Sequence, residues 1–457
     1  MNRQLHLGSA RLANFWESLR TSYWFVPTLM TAGSIGLSFV SVHCDEQVSI
    51  KWVRAVGWIW AGSPEGARQV LSTIAGSMIT VAGVTFSITI VALTLASSQF
   101  GPRLLRSFVR DFGNQVVLGT FVSTFVYCLL VLRTVRGGEA AEFVPYLSVT
   151  LGVAFALTSL GVLIYFIHHV ANAIQAEHLI ASVAHELRDA IGHMFPEKLG
   201  EPGPKGPEAP EQAPVEIEAE GDLIEAGQSG YVQTIDHEEL MAIARAEDLV
   251  LELLRIPGRF VIEGRALVRV WPPDRVSGDL ADRIRGAFIL GRRRTPTQDP
   301  EYAVHNLVEI GVRALSPGIN DPFSAMTCLD WLGAALSEMA GRKIPSRYRN
   351  DDQGRLRVIA DGATFSEMAD AAFNQIRQYG RNSVSVLLRL LDTIAAVSEH
   401  VRREEDLTYL RKHADKVIRD ARETLINELD LREVEERHAA TSRALGKSGL
   451  HSKIEVD

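Results

Sequence analysis

The chain has 457 residues, with 47 Lys plus Arg against 55 Asp plus Glu and a formal net charge of -8. That acidic balance, with a pI near 5.9, argues against a nucleic-acid binder. Three isolated cysteines (Cys44, Cys128 and Cys328) show no CxxC or paired spacing, so neither a disulfide framework nor a zinc site is indicated.

A mean hydropathy of +0.06 averages over a split: the first third is apolar and the rest is charged. Residues 1–20 carry Arg3, Arg11 and Arg20 and read as a cytoplasmic N-terminus. No small-residue cleavage site follows in the usual place, so the first apolar run is expected to stay as a membrane anchor. That run is Thr21 to Val42, opened by Tyr23, Trp24 and Phe25 where aromatic belts form, with Pro27 in its first turns. Lys51 to Trp60 carries Trp52, Trp58 and Trp60 and is either an interfacial segment or a loop with an aromatic anchor.

The second run, Gln69 to Pro102, spans 34 residues without a charge, yet ten of them are Ser or Thr. About 20 apolar residues suffice to cross a bilayer, and hydroxyls in a membrane helix face protein or water. Thr73, Ser77, Thr80, Ser87, Thr94 and Ser98 fall on one helical stripe, which Val84 and Val91 share. Ala82, Thr85, Thr89, Ala92 and Ala96 form a second stripe of small residues. The run is expected to be a central packing helix or a pore wall. Phe112 to Leu132 and Phe143 to Ile167 complete a predicted transmembrane domain over 21–170. Arg103, Arg106 and Arg110 follow the second span, while only Arg133 and Arg136 separate the third and fourth, a bias that places both termini in the cytoplasm.

Beyond the fourth span, one polar and one apolar stripe predict an amphipathic extension of that helix over 171–195. Residues 196–228, rich in Pro, Glu and Gly, read as an acidic linker. Residues 229–298 read as a small α/β subdomain, with strands expected at Gly230–Asp236, Leu249–Leu254 and Arg259–Trp271 and a helix at His237–Asp248. Residues 299–440 read as a helical subdomain in which Asp299 and Asp321 cap helices that Pro300 and Pro322 begin. The tail, 441–457, reads as disordered. The expected fold class is membrane α-helical, with four transmembrane helices and a cytoplasmic α/β plus helical C-terminal domain.

Candidate chemistry is sparse. Arg103, Arg106 and Arg110 would form a basic cytoplasmic mouth if the second span lines a pore, or an ordinary positive-inside anchor if not. Arg292, Arg293 and Arg294 could hold an anion, or could be a solvated loop or partners for Asp299 and Glu301. In Ala314 to Pro322, Ser316, Asn320 and Asp321 either face a ligand or cap a helix–helix corner. Histidines 168, 169, 178, 185 and 193 lack the spacing of a metal site, and His305 and Glu309, four apart, could share an ion, but a lone pair of that spacing is common on helices, so no metal is expected. No nucleophile elbow, Walker loop or dinucleotide fingerprint is present, so no cofactor is expected, and an enzyme with a site at the Pro317 to Pro322 corner ranks third, behind the two functions given below.

The run G-V-T-F-S-I-T-I-V-A-L-T-L-A-S-S-Q-F-G-P-R-L-L-R from Gly83 to Arg106, with A-L-S-P-G-I-N-D-P from Ala314 to Pro322, resembles a family of predicted bacterial membrane proteins known as domain of unknown function 2254. The resemblance covers roughly residues 10 to 430. It implies a four-span part in a bacterial inner membrane and a cytoplasmic C-terminal part, and carries no activity. Two functions are open. One is a homo-oligomeric channel for small ions, with Ser77, Thr80, Val84, Ser87, Val91, Thr94 and Ser98 lining the path. The other is a lipid-embedded sensor or scaffold whose soluble domain binds a ligand or protein.

Overall fold

The computed structural model describes residues 24–47, 62–100, 112–137, 143–173, 175–194, 215–296, 298–342 and 346–454. The chain divides into two compact units that part between His178 and Leu179.

Among the described residues of the first unit, four helices are long and apolar enough to cross a membrane. They are α1 (Phe25–Gln47), α2 (Pro64–Phe100), α3 (Phe112–Leu132) and α4 (Tyr146–Ala173). Ser63 caps α2 by accepting from the Gly66 amide at 3.2 Å, and Pro64 takes the first helical position. The sequence favours the second span as the central packing helix, but within the unit that place belongs to α3. Half of the most apolar window of α3 is buried, against 22% in each of the other three, and α3 packs on all of them. The reason is what each helix turns inward. α1 presents Ser34, Ser38 and Ser41; the Ser34 hydroxyl donates to Ser123 O at 2.8 Å, and Ser41 bonds the Tyr127 hydroxyl at 2.9 Å. Tyr127 donates on to Ser148 O at 3.2 Å, and Thr124 meets Ser159 at 3.3 Å. Such interhelical bonds contribute roughly 0.6 kcal/mol each where no water competes.

The second unit opens with α5 (Ala176–Met194), then α6 (Val215–Glu220), β1 (Asp222–Glu225), β2 (Gly230–Ile235), α7 (His237–Ala246), β3 (Val250–Leu253), β4 (Phe260–Val261) and β5 (Ala266–Trp271). It continues through α8 (Gly278–Gly286), β6 (Phe288–Gly291), α9 (Pro300–Ala314), α10 (Pro322–Gly341), β7 (Tyr348–Asn350) and β8 (Leu356–Ala360). The last helices are α11 (Phe365–Gly380), α12 (Val384–Ser398), α13 (Glu404–Thr424) and α14 (Glu428–Ile454). One sheet runs β1-β5-β3-β8-β7 and a second β4-β2-β6. All pairings are antiparallel except β3 with β8. Buried Leu251, Val268, Val270 and Val358 from the larger sheet pack with Val232, Ile235, Leu240 and Ile243. Each fully buried side chain of this kind is worth about 1.5–3 kcal/mol. Between the central strands, buried Glu252 takes a 2.6 Å hydrogen bond from Arg269. The helices α9 to α14 pack on one another through residues such as Leu307, Leu332, Phe373, Leu390 and Val417, all withdrawn from solvent.

The structure departs from the sequence expectations in five places, the first being that the strand expected over Arg259–Trp271 is two, β4 and β5, in different sheets. The fourth span does not extend unbroken over 171–195: α4 stops at Ala173, and most of α5 groups with the second unit, where Arg188 pairs with Glu338 at 3.2 Å. Part of the expected linker 196–228 is regular: α6 and β1 occupy 215–225, anchored by the buried Ile217 and Ile224, while 196–214 lie outside the described residues. The helical subdomain 299–440 is not purely helical, because β7 and β8 sit inside it and complete the sheet of the preceding segment. Finally, helix α14 runs through the expected tail to Ile454, held by buried Thr441 and Leu445.

Candidate functional site

Two regions carry chemistry, one in each unit. In the first unit the two stripes of α2 separate cleanly. Ala82, Thr85, Thr89 and Ala92 are buried, with Ala82 and Ala92 in a cluster with Val117, Leu118, Phe121 and Phe166 of α3 and α4. Thr73, Ser77, Thr80, Val84, Ser87, Val91, Thr94 and Ser98 are all exposed on the outer face of the protomer. Their spacing alternates four and three, a sustained heptad pattern of the kind that lines the seam of a left-handed helical bundle. The hydroxyls do not reach into the protomer. Thr80 donates to Gly76 O at 2.8 Å, Ser87 to Gly83 O at 2.9 Å, Thr94 to Ile90 O at 2.8 Å and Ser98 to Leu95 O at 2.8 Å. Gly76 and Gly83 flank the same stripe, and a methyl group added at either would touch nothing within 4 Å. Close packing inside the protomer therefore does not explain them. Arg103, Arg106 and Arg110 lie outside the described residues. Sequence reasoning passed over Asn114 and Gln115 on the first turn of α3: both are buried, and the Asn114 amide and the Gln115 oxygen have no hydrogen-bond partner among the described residues.

In the second unit the predicted anion residues do not come together. Arg294 is committed to a buried carboxylate: it donates to both oxygens of Asp299, at 2.7 and 2.9 Å, and to Glu301 at 3.1 Å, and it lies over the Tyr302 ring. Arg292 and Arg293 point to solvent. Ser316, Asn320 and Asp321 sit at the opposite end of α9, about 22 Å away along 15 residues of helix. There they make a corner. The Ser316 hydroxyl donates to Arg313 O, Asn320 takes a left-handed φ of 51°, and Asp321 caps α10 by accepting from the Ser324 amide and hydroxyl.

What the structure does assemble is a cavity of about 240 Å³ at the carboxyl ends of the two parallel strands. Leu253 and Ala360, the last residues of β3 and β8 and partners in register, form its floor. Ligands in α/β folds settle at such strand ends. The first turns of α7, α9 and α11 close the sides through His237, Glu301 and Glu367. Asp299 seats the first turn of α9 by accepting from the Tyr302 amide at 3.1 Å. It packs so tightly on Gly258, whose φ is +87°, that a side chain there would collide with its carboxylate. Thr364 and Glu367 form a reciprocal capping box at the start of α11.

The electrostatics of the lining are uneven. Each carboxylate is engaged: Asp299 and Glu301 share Arg294, Asp361 has Arg347 at 3.0 Å, and Glu367 accepts from the Thr364 amide at 3.1 Å. The hydrogen bond with His305, joined by the charges of His305, Arg259 and Arg294 and opposed by partial burial, holds Glu301 down at about 2. Arg349 on β7 is different. The residue is half-buried, its Nε is withdrawn from solvent without a hydrogen-bond partner among the described residues, and burial pulls its pKa below the usual arginine range. Beside it, burial first and the Arg349 charge second push His237 down to about 4, so the ring is neutral near pH 7, and its Nδ1 is also buried and unpartnered. The sequence signal for this cavity is faint. A strand followed by Asp361-Gly362-Ala363-Thr364 and a helix is legible, but nothing marks Arg349 within Tyr348–Asn350.

An uncharacterized protein of Mycobacterium bovis is 31% identical over 423 residues, 91% of this chain and 79% of the relative. An uncharacterized protein of Mycobacterium tuberculosis matches to the same extent. No solved structure matches. The family model described as predicted membrane protein (DUF2254) matches residues 20–396, and the chain, with its four candidate spans and mixed helix-and-sheet domain, belongs to that family.

Proposed function

We propose that this protein is a homo-oligomeric ion channel in which α2 of each copy faces a central axis, set in a bacterial inner membrane with both termini in the cytoplasm. The observation that supports it is the outward heptad stripe of α2, flanked by glycines that nothing in the protomer requires. Parallel copies meeting along that stripe would bring rings of Thr80, Ser87 and Thr94 to the axis, alternating with rings of Val84 and Val91. A hydroxyl that donates to its own helix still offers lone pairs to a water or a cation, whereas a valine ring offers neither and would gate by dewetting. The mixed helix-and-sheet domain would bias the gate, and Arg103, Arg106 and Arg110 would enrich anions at the inner mouth.

Flux from liposomes holding the purified full chain tests this with potassium and chloride as probes. Conduction is expected, with Val84→Ala and Val91→Ala raising it and a thiol reagent that cannot cross lipid blocking Ser87→Cys. Silence toward both ions across voltage and tension rejects the reading. The cavity of the second unit favours one alternative, a membrane-anchored sensor in which the α2 stripe is only a packing seam. In that case Ser87→Ala with Thr94→Ala changes oligomer stability without any conductance phenotype.

A further inference from the structure

We infer that the cavity at the carboxyl ends of β3 and β8 is a binding site for a small organic oxyanion, with the guanidinium of Arg349 as its anchor. The inference stands whether or not the spans conduct ions.

A buried cation without a partner is costly. Arg349 is half-buried, its Nε is sealed from water, and no side chain or carbonyl among the described residues accepts from that nitrogen. The four carboxylates around the cavity do not relieve it, since each is held by Arg294, Arg347 or a helix cap. No ion pair among the described residues engages this guanidinium, and its planar fork matches the two oxygens of a carboxylate or phosphate. His237 adds a second unsatisfied ring nitrogen in the same cavity and, being neutral, can donate or accept according to its tautomer. Leu253, Ile256 and Met368 supply apolar wall, so the ligand carries a compact carbon body besides its oxyanion. The space of about 240 Å³ suits a metabolite of a few carbons.

The carboxylate and phosphate sources are separated by titrating the detergent-purified full chain with succinate and with inorganic phosphate. Ionic strength is held with sodium chloride, and binding is read by calorimetry and by the shift in melting temperature. Saturable binding of at least one probe is expected. Arg349→Gln should weaken it at least tenfold, while its ligand-free melting temperature equals or exceeds that of the wild type, because an uncompensated charge has been removed. Arg349→Lys keeps the charge but loses the fork, so it should fall between. Arg292→Gln, exposed and away from the cavity, should bind as the wild type does. Saturation by succinate alone identifies a carboxylate ligand, and saturation by phosphate alone a phosphorylated one. No saturable binding of either probe up to tens of millimolar, or equal binding by wild type and both Arg349 variants, overturns the inference.

Discussion

Asp45, near the end of α1, is a cap for a helix it does not belong to. Its carboxylate accepts from the Leu147 amide at 2.8 Å, the Ser148 amide at 2.9 Å and the Ser148 hydroxyl at 2.6 Å, all on the first turn of α4. Hydrogen bonds to a charged group contribute about 1.5–3 kcal/mol each, and a carboxylate at a helix N-terminus adds roughly 0.3–1 kcal/mol. The three bonds are only partly shielded and share one acceptor, so Asp45→Ala should cost the first unit about 3 kcal/mol rather than the full sum. Asp45→Asn keeps an acceptor without the charge and should cost about half as much. Ser148→Ala removes one bond, about 1 kcal/mol, and should cost almost nothing once Asp45 is gone.

The assay uses the chain's own thiols. Cys128 is fully buried in the first unit and Cys328 in the second, so pulse labelling in detergent titrated with SDS, read by mass mapping, reports each unit separately. Asp45→Ala should raise the labelling equilibrium of Cys128 by roughly two powers of ten and leave Cys328 unmoved. Cys128 labelling at the wild-type level in Asp45→Ala would refute the capping role. So would a Ser148→Ala penalty that is the same with and without Asp45.

Arg294→Ala should destabilise the second unit by about 3–5 kcal/mol in denaturant titrations, because buried Asp299 is left charged and unpaired. Thr364→Ala opens the capping box of α11 and should cost about 1 kcal/mol by the same measurement. His237 and His413 are both pushed down to about 4 from the ordinary 6.5, mainly by burial, helped by the charge of Arg349 at His237 and those of Lys416 and Arg377 at His413, and opposed by Asp236 and Asp370 respectively. The folded state keeps them neutral while the unfolded chain takes up their protons, so their contribution is intact above about pH 6.5 and falls as pH drops toward 4. For fully buried His413 the loss approaches about 3 kcal/mol, and His413→Leu should flatten the stability profile between pH 6.5 and 4.

The four spans were legible because a membrane imposes length and apolarity, and the chain displays both in uninterrupted runs. Their arrangement was less so. The second span drew attention by its hydroxyl count, yet within the unit the polar glue comes from α1, whose Ser34, Ser38 and Ser41 turn inward, and from Tyr127. A serine that bonds its own helix and one that bonds a neighbour are the same letter at the same helical spacing. In the second unit, Asp299-Pro300 and Asp321-Pro322 announced their helices because a capping oxygen followed by a residue without an amide proton has one natural place. The parallel partner of β3 did not announce itself. β8 lies more than a hundred residues later, and alternation over five residues cannot say which sheet will accept a strand.

The arginine triplet follows the second of its two readings, a solvated loop with partners for Asp299 and Glu301, and Arg349 passed unseen, for one physical reason. Charge density in a sequence marks where cations are numerous, and numerous cations are usually solvated or matched: Arg292 and Arg293 face water, and Arg294 has two acids within reach. A cation becomes chemically available only when the fold withdraws it from water and supplies no acceptor. For Arg349 that state needs β7 to pair with β8, β8 to pair with β3, and the first turns of α7, α9 and α11 to gather around the strand ends with their own acids already engaged. No window of sequence contains that coincidence. It is a property of the tertiary pairing, and a half-buried guanidinium with a sealed, unpartnered Nε is what a site kept for a ligand, rather than for the fold, is expected to show.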